Sequence, residues 1–273
     1  MAVLSSGFMA SKADAGPSAA ATPINELIAA LRDNRDRKKQ LDAMDQLAVT
    51  AGGMNTADQM RVVYALGEAY DSPVNEGGVR GRALDTLGKC AAWFSDETAV
   101  RRAVEVLTQA AAVTEPDQRV NLKLYALLGL SRTAGHLPRG DQGTEKLVVT
   151  AALDGLRDSR MAQEKLAAMM TLHAYERTRG AGQIAFDQTL ARRFDDELLR
   201  PYQGNVDALY NDDKNTLDYR WLYIRSIDIA AWSVPVQPEW RGRIGQIMRD
   251  ISYRETDSRL KEIARLYAQR LGR

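Results

Sequence analysis

Asp117-Gln118-Arg119 is a triplet that the chain uses repeatedly: Asp158-Ser159-Arg160, Asp218-Tyr219-Arg220 and Asp257-Ser258-Arg259 share the form Asp-x-Arg. Each opens a stretch of helical character. Two looser copies, Arg35-Asp36-Arg37 and Gly78-Val79-Arg80, precede them. The arginines at 37, 80, 119, 160, 220 and 259 stand 43, 39, 41, 60 and 39 residues apart. A period near 40 is what stacked helix pairs show, each pair being one supersecondary unit. The long interval equals one repeat plus about 20 residues, so an extra helix or long loop is expected between 180 and 216. Apolar residues recur at the fourth and seventh positions after the arginine: Leu41 and Met44, Leu84 and Leu87, Ile224 and Ile227, Ile263 and Leu266. The copies after Arg119 and Arg160 slip, using Leu122 and Tyr125, and then only Leu166.

Outward from the triplets the pattern stays helical. Met60, Val63, Tyr64, Gly67 and Tyr70 recur at three- and four-residue steps, as do Val100, Ala103, Val104, Leu107, Ala110 and Ala111. Those steps fall on one face at 3.6 residues per turn. Strand-like alternation is absent from the sequence. Between the periodic stretches stand Gly52-Gly53, Ser72-Pro73, Gly77-Gly78, Pro116, Pro138, Gly180, Pro201, Pro235 and Pro238. Proline lacks the amide donor and glycine accepts a left-handed cap, so these end helices. The spacing predicts helix pairs at about 23–33 with 35–51, 56–71 with 78–93, 96–112 with 117–134, and 144–157 with 159–178. The insertion supplies 184–199 and a short helix near 203–210. Helices at 216–233, 239–253 and 257–271 complete the chain. Short connections make neighbouring helices antiparallel.

These triplets and their period resemble the HEAT and HEAT-like repeat family over roughly residues 23–273. The resemblance implies an all-α fold: a right-handed α-solenoid of about six stacked antiparallel helix pairs, with the insertion near 180–216. It also implies that Arg80, Arg119, Arg160, Arg220 and Arg259 stack along the solenoid and bond turn carbonyls or aspartates of adjacent repeats. Asp117, Asp158, Asp218 and Asp257 suit N-cap positions, where a carboxylate accepts otherwise orphaned amides. One pair cannot bury its own apolar face, so stability comes from stacked neighbours and the terminal units need a polar outer surface. The expected organisation is a leader at 1–22 and a single helical repeat domain at 23–273.

Composition removes several functions. The 273 residues are 45% hydrophobic, and 37 Lys and Arg against 36 Asp and Glu leave a net charge of +1. That balance argues against a protein built mainly to hold nucleic-acid phosphates or an acidic membrane face. One cysteine and two histidines exclude a disulfide framework and a Cys/His structural zinc site. No run approaches the ~18 apolar residues of a membrane span. The Ala, Ser, Gly and Pro of residues 12–22 read as a disordered leader in a cytoplasmic protein. Ala13-Asp14-Ala15, after the short apolar run of residues 2–10, has the form of a signal-peptidase site, and the alternative is export to a periplasm-like compartment.

Catalytic constellations are not evident, and no enzyme, cofactor or metal is expected. His136 and His173 lack partners at ligand spacing. Asp195-Asp196-Glu197 and Asp212-Asp213 with Asn211 and Asn215 lack the glycine and closing glutamate of a calcium loop. One concentration is notable: Tyr202, Tyr210, Tyr219, Trp221, Tyr223, Trp232 and Trp240 lie within a short stretch. Tyr and Trp combine apolar area with a polar handle, which suits recognition. Pro201, Gly204 and Asn205 suggest an exposed irregular segment, so Tyr202, Tyr210, Tyr219 and Trp221 are the candidate partner-binding residues. The rival reading is that these rings fill the core of the last repeats. Consecutive residues cannot all point inward, so Tyr219 or Trp221 should be exposed. The expected function is a non-enzymatic scaffold that holds a protein or peptide. The alternative is a HEAT-like nucleic-acid binder or DNA glycosylase-type enzyme, for which the 237–273 segment carries a modest basic excess; nucleic acid is not the expected partner.

Overall fold

The computed structural model describes residues 22–113, 121–159, 161–179, 188–211, 217–232 and 239–271. Among them there is no strand. The helices run α1 Ile24–Arg32, α2 Arg37–Thr50, α3 Thr56–Asp71, α4 Gly77–Ala91, α5 Glu97–Ala112 and α6 Leu122–Thr133. They continue as α7 Gln142–Asp158, α8 Ala162–Arg179, α9 Gln188–Phe194, α10 Asp207–Asn211, α11 Leu217–Trp232, α12 Trp240–Arg254 and α13 Ser258–Leu271. The all-α expectation holds, and the periodic stretches lie within a few residues of their expected bounds. The leader expected at 1–22, but for its last residue, together with Asp117, Arg119 and Arg160, lies outside the described residues.

Caps set the helix starts. Asp36, Asn55, Asp96, Asn121 and Asp141 precede α2, α3, α5, α6 and α7, and each side chain accepts a backbone N–H from the first turn. Such a cap contributes about 1 kcal/mol by satisfying one orphan amide. Asp257 does the same for α13, accepting from Leu260 N at 3.0 Å. Asp158 and Asp218 do not serve as caps. Asp158 is the last residue of α7 and takes both guanidinium arms of its neighbour Arg157 at 2.6 Å. Asp218 sits inside the first turn of α11, past the cap position.

Which helices touch defines the layout. α1 packs on α2, α3 on α4, α5 on α6, α7 on α8 and α12 on α13. In addition α1 touches α3, α3 touches α5 and α5 touches α7, while α2 touches α4, α4 touches α6, α6 touches α8 and α8 touches α11. First helices therefore make one row and second helices another. The expected insertion enters this arrangement instead of standing apart from it. α9 runs into a π-helical turn at Asp195–Leu199 and a 3-10 turn at Arg200–Tyr202. α7 contacts α9 and the π-turn, and the π-turn contacts α12. The segment thus fills the first-row place between α7 and α12. Phe194, Leu198, Leu199 and Leu209 are buried there, and Phe194 stacks on Trp240 of α12 at 5.9 Å.

Period becomes contact through polar side chains in the turns. Gln40 and Gln59, both buried, bridge one unit to the next. Gln40 Nε2 donates to Leu31 O at 2.8 Å and to Asn75 Oδ1 at 3.2 Å, and Asn75 in turn donates to Ala69 O. Gln59 Oε1 accepts from the backbone of Ser95 and Asp96 at 3.0 and 2.8 Å, and its Nε2 donates to Met54 O. These bonds satisfy turn amides and carbonyls that burial would otherwise leave unpaired. Outer ion pairs follow the same spacing: Arg32 with Glu68, Arg37 with Glu76, Arg101 with Asp141 and Arg193 with Asp154. The apolar core runs unbroken from Leu27 to Leu271. The last helix presents a polar outer side, with Lys261, Glu262, Arg265 and Arg270 exposed.

Candidate functional site

The aromatic stretch forms an internal polar and apolar network. Tyr202 and Tyr223 rings meet edge to face at 4.6 Å, and the Tyr202 and Tyr219 hydroxyls share a hydrogen bond at 3.3 Å. Tyr223 donates its hydroxyl to Leu198 O at 3.0 Å. Burial pushes the Tyr223 phenol well up, and the neighbouring hydroxyls of Tyr202 and Tyr219 add to this. Tyr210 donates to Glu255 Oε2 at 3.1 Å, and the Arg220 guanidinium lies over its ring at 5.3 Å. Burial, then the Glu255 charge, raises the Tyr210 phenol.

Glu255 is the hub. It caps the end of α12 in the turn to α13, and accepts from Arg220 Nε at 3.0 Å, Tyr210, Thr256 N and Asp257 N. Burial opposes ionisation of its carboxyl. Arg220, the Asp257 amide and Tyr210 together outweigh that and hold it below the usual carboxylate range. Thus Arg220, the triplet arginine of α11, bonds the turn of the following pair. Arg80 donates to Tyr70 O at 2.7 Å and covers the Tyr70 ring. Arg220 therefore reaches the following pair, whereas Arg80 bonds α3 within its own pair instead of an adjacent repeat. Arg259 lies exposed in the first turn of α13.

The exposed irregular segment expected around Tyr202 and Tyr210 is not what the structure shows, and the four candidate rings differ in exposure. Tyr219 is 5% exposed. Tyr202 and Tyr210 are half-buried against the core. The reason is the route of the 188–211 segment: it fills a place in the first row, so its rings face α11 and α12. Trp221 alone of the four is exposed, at 40%, as the consecutive-residue argument required. Its ring meets His173 of α8 edge-on at 5.2 Å. His173 is a packed histidine, with Nδ1 3.4 Å from Glu176 Oε2. Asp195 pairs with Arg200 and Arg243, and Asp196 with Arg200. Asp212, Asp213 and Asn215 lie outside the described residues. Among the described residues no group of three His, Cys, Asp or Glu could hold a metal ion. No helix among them is long and apolar enough to cross a membrane.

A second region was not anticipated. Along the second row, Asp85 of α4 is 5% exposed and is reached by three cations: Arg132 Nη1 of α6 at 2.5 Å, Lys89 Nζ at 2.8 Å and Arg82 Nη1 at 3.5 Å. Arg82 also pairs with Asp45 of α2. Just past the end of α4, Trp93 is 68% exposed, and its ring lies against Gly52 in the 3-10 turn Ala51–Gly53 that follows α2. Val49, three residues before that glycine, is 86% exposed. Lys89 and Trp93 signal one another in sequence only as a four-residue step. That Asp45, Arg82, Asp85 and Arg132 join three helices is invisible without the fold.

No protein-family profile matches the sequence. No curated protein sequence matches it. The fold is similar to crystal structures of engineered proteins from the Northeast Structural Genomics Consortium. One is 17% identical with a TM-score of 0.57, over 91% of this chain and 96% of that one. A second is 18% identical with a TM-score of 0.57, over 92% and 98%. A third is 17% identical with a TM-score of 0.56, over 91% of this chain and 57% of that one. At such identities the likeness concerns the fold alone.

Proposed function

We propose that this chain is a non-enzymatic interaction scaffold of the HEAT-like α-solenoid kind, holding a protein or peptide on a face built from successive helices. The observation that carries the reading is the two-row contact pattern, in which each helix touches its pair partner and its row neighbours. Such an arrangement lays the same face of helix after helix side by side, which produces long surfaces suited to an extended partner. The exposed Trp93 and Trp221 both belong to the second row or its turns, and such rings supply contact area that the fold does not need.

The test is site-specific photocrosslinking in extracts of the source cells. A photoreactive residue is placed at Trp93, at Trp221 and, as a first-row control, at Gln109. The scaffold reading expects one polypeptide crosslinked at second-row positions and not at Gln109. Equal labelling of many proteins at all three positions, or none at any, overturns it.

A further inference from the structure

The region around Asp85 holds more positive charge than its buried carboxylate requires. One close cation would neutralise Asp85, yet Arg132, Lys89 and Arg82 all converge on it. Asp45 takes part of Arg82. Three cations against two carboxylates leave one unit of positive charge, and the ammonium and guanidinium heads keep further N–H donors free for a ligand oxygen. Trp93 follows Lys89 by four residues in the turn that ends α4, with Ala92 still in the right-handed helical region, so the two lie at the same end of the helix. The Trp93 ring rests on Gly52, where a Cβ would meet it at 3.6 Å, so the 3-10 turn that follows α2 lies against the indole. Val49 is exposed on the last turn of α2. Lys89 thus joins the cationic cluster to the exposed Trp93 ring at the same end of α4.

We infer that this surface docks an acidic segment of a partner protein. A side-chain carboxylate of that segment bonds Lys89 and Arg132, and a neighbouring apolar side chain lies against Trp93. Charge complementarity selects an anionic partner. One ring and one net charge are too little for a nucleic acid strand, which needs a track of cations and successive stacking platforms. This inference rests on the scaffold reading and names the partner's chemistry.

The experiment uses the full chain and three fluorescent probes: a short peptide of alternating glutamate and leucine, the matching lysine–leucine peptide, and a short oligothymidine. Anisotropy is read for the wild type, Trp93→Ala, Lys89→Met and the first-row Gln109→Ala, with a melt of each variant as a fold control. Arg132 and Arg82 still neutralise Asp85 in Lys89→Met. The expected result is binding of the acidic peptide alone, weakened about tenfold in Trp93→Ala and in Lys89→Met and unchanged in Gln109→Ala. Binding of the acidic peptide that both variants leave unaltered overturns the site. So does preference for oligothymidine or for the basic peptide, or no binding of any probe. A peptide bound independently of Trp93 and Lys89 sinks this site while leaving the scaffold reading intact, and the crosslinking result judges that reading separately.

Discussion

Gly88 of α4 and Gly129 of α6 meet backbone to backbone: a Cβ built on Gly88 would fall inside contact distance of the Gly129 Cα, carbonyl carbon and oxygen. The two residues are one repeat apart, and the crossing they permit brings second-row helices closer than any larger residue allows. Neither glycine is needed for its dihedral angles, since both lie in helices. Gly88→Ala should therefore cost about 3 kcal/mol, as overpacking against an unyielding backbone does. Gly242 provides the contrast. It sits in α12 with open space around its Cα, so Gly242→Ala should stabilise by about 0.5–1 kcal/mol through helix propensity. Urea denaturation of both variants checks the pair of signs, and equal effects would refute the crossing.

The Arg220–Glu255 pair gives a pH-dependent prediction. Glu255 is held below the usual carboxylate range, so the unfolded state binds its proton more readily than the folded state. The stability it contributes is present above about pH 4.3, the unfolded value. It is lost as pH falls through the lower folded value. Arg220→Ala leaves a buried carboxylate without its cation and should cost about 3 kcal/mol near neutrality. Glu255→Gln should flatten the acid limb of the stability profile. Melting curves between neutrality and strong acid measure both; an unchanged acid limb in Glu255→Gln would remove Glu255 from the account.

Gln59 tests the turn-to-turn bonds. Its carboxamide accepts from two backbone amides of the next unit and donates to the carbonyl of Met54. Gln59→Leu keeps the volume and removes the partner of those three groups, at a buried side chain beneath a partly exposed turn. A loss of about 2 kcal/mol is expected. Hydrogen exchange should accelerate at the Ser95 and Asp96 amides first. Uniform acceleration across the chain would mean that the glutamine only fills space.

Much of this fold was legible because it is written in local signals. The three- and four-residue steps place Val100, Ala103, Val104 and Leu107 inward, and all four are buried. Asp36 and Asp257 cap helices for the same local reason. What failed depended on distant geometry. Asp158 has the same triplet as Asp257, but Arg157 beside it captures the carboxylate. The 60-residue interval was visible, whereas its resolution was not: a π-turn and two short helices take a first-row place because Phe194, Leu198 and Leu199 find the core there. Likewise Gln40 and Gln59 read as ordinary polar residues until the adjoining turns stand beside them. The cationic cluster around Asp85 draws on three helices, and no spacing rule connects Asp45, Asp85 and Arg132.

Cys90 offers a chemical readout of global opening. It is fully buried in α4, and burial pushes its thiol up to about 12, with Lys89 opposing. The thiolate is the reactive form, so the folded chain should resist a disulfide reagent at about pH 8, near the ordinary thiol range. Labelling should follow the unfolding transition in denaturant. Rapid labelling of the native chain would show local opening of α4 instead.

The aromatic stretch yields the last prediction. Were Tyr202 and Tyr210 contact rings on a free loop, their removal would leave the melting temperature in place. The structure makes the opposite demand. Tyr202 packs edge-on against Tyr223 and shares a hydrogen bond with Tyr219. Tyr210 donates to Glu255 beneath the Arg220 guanidinium. Truncating both rings removes apolar contact from half-buried positions and takes one donor from the Glu255 hub. Tyr202→Ala with Tyr210→Ala should therefore lower stability by about 3 kcal/mol or more, whereas Trp221→Ala, at an exposed position, should cost clearly less. Tyr210→Phe isolates the hydroxyl, and about 1 kcal/mol is expected for it. Thermal melts of these variants give the order. If the double variant melts with the wild type while Trp221→Ala does not, the stretch is not part of the core and its three tyrosines return to the contact surface.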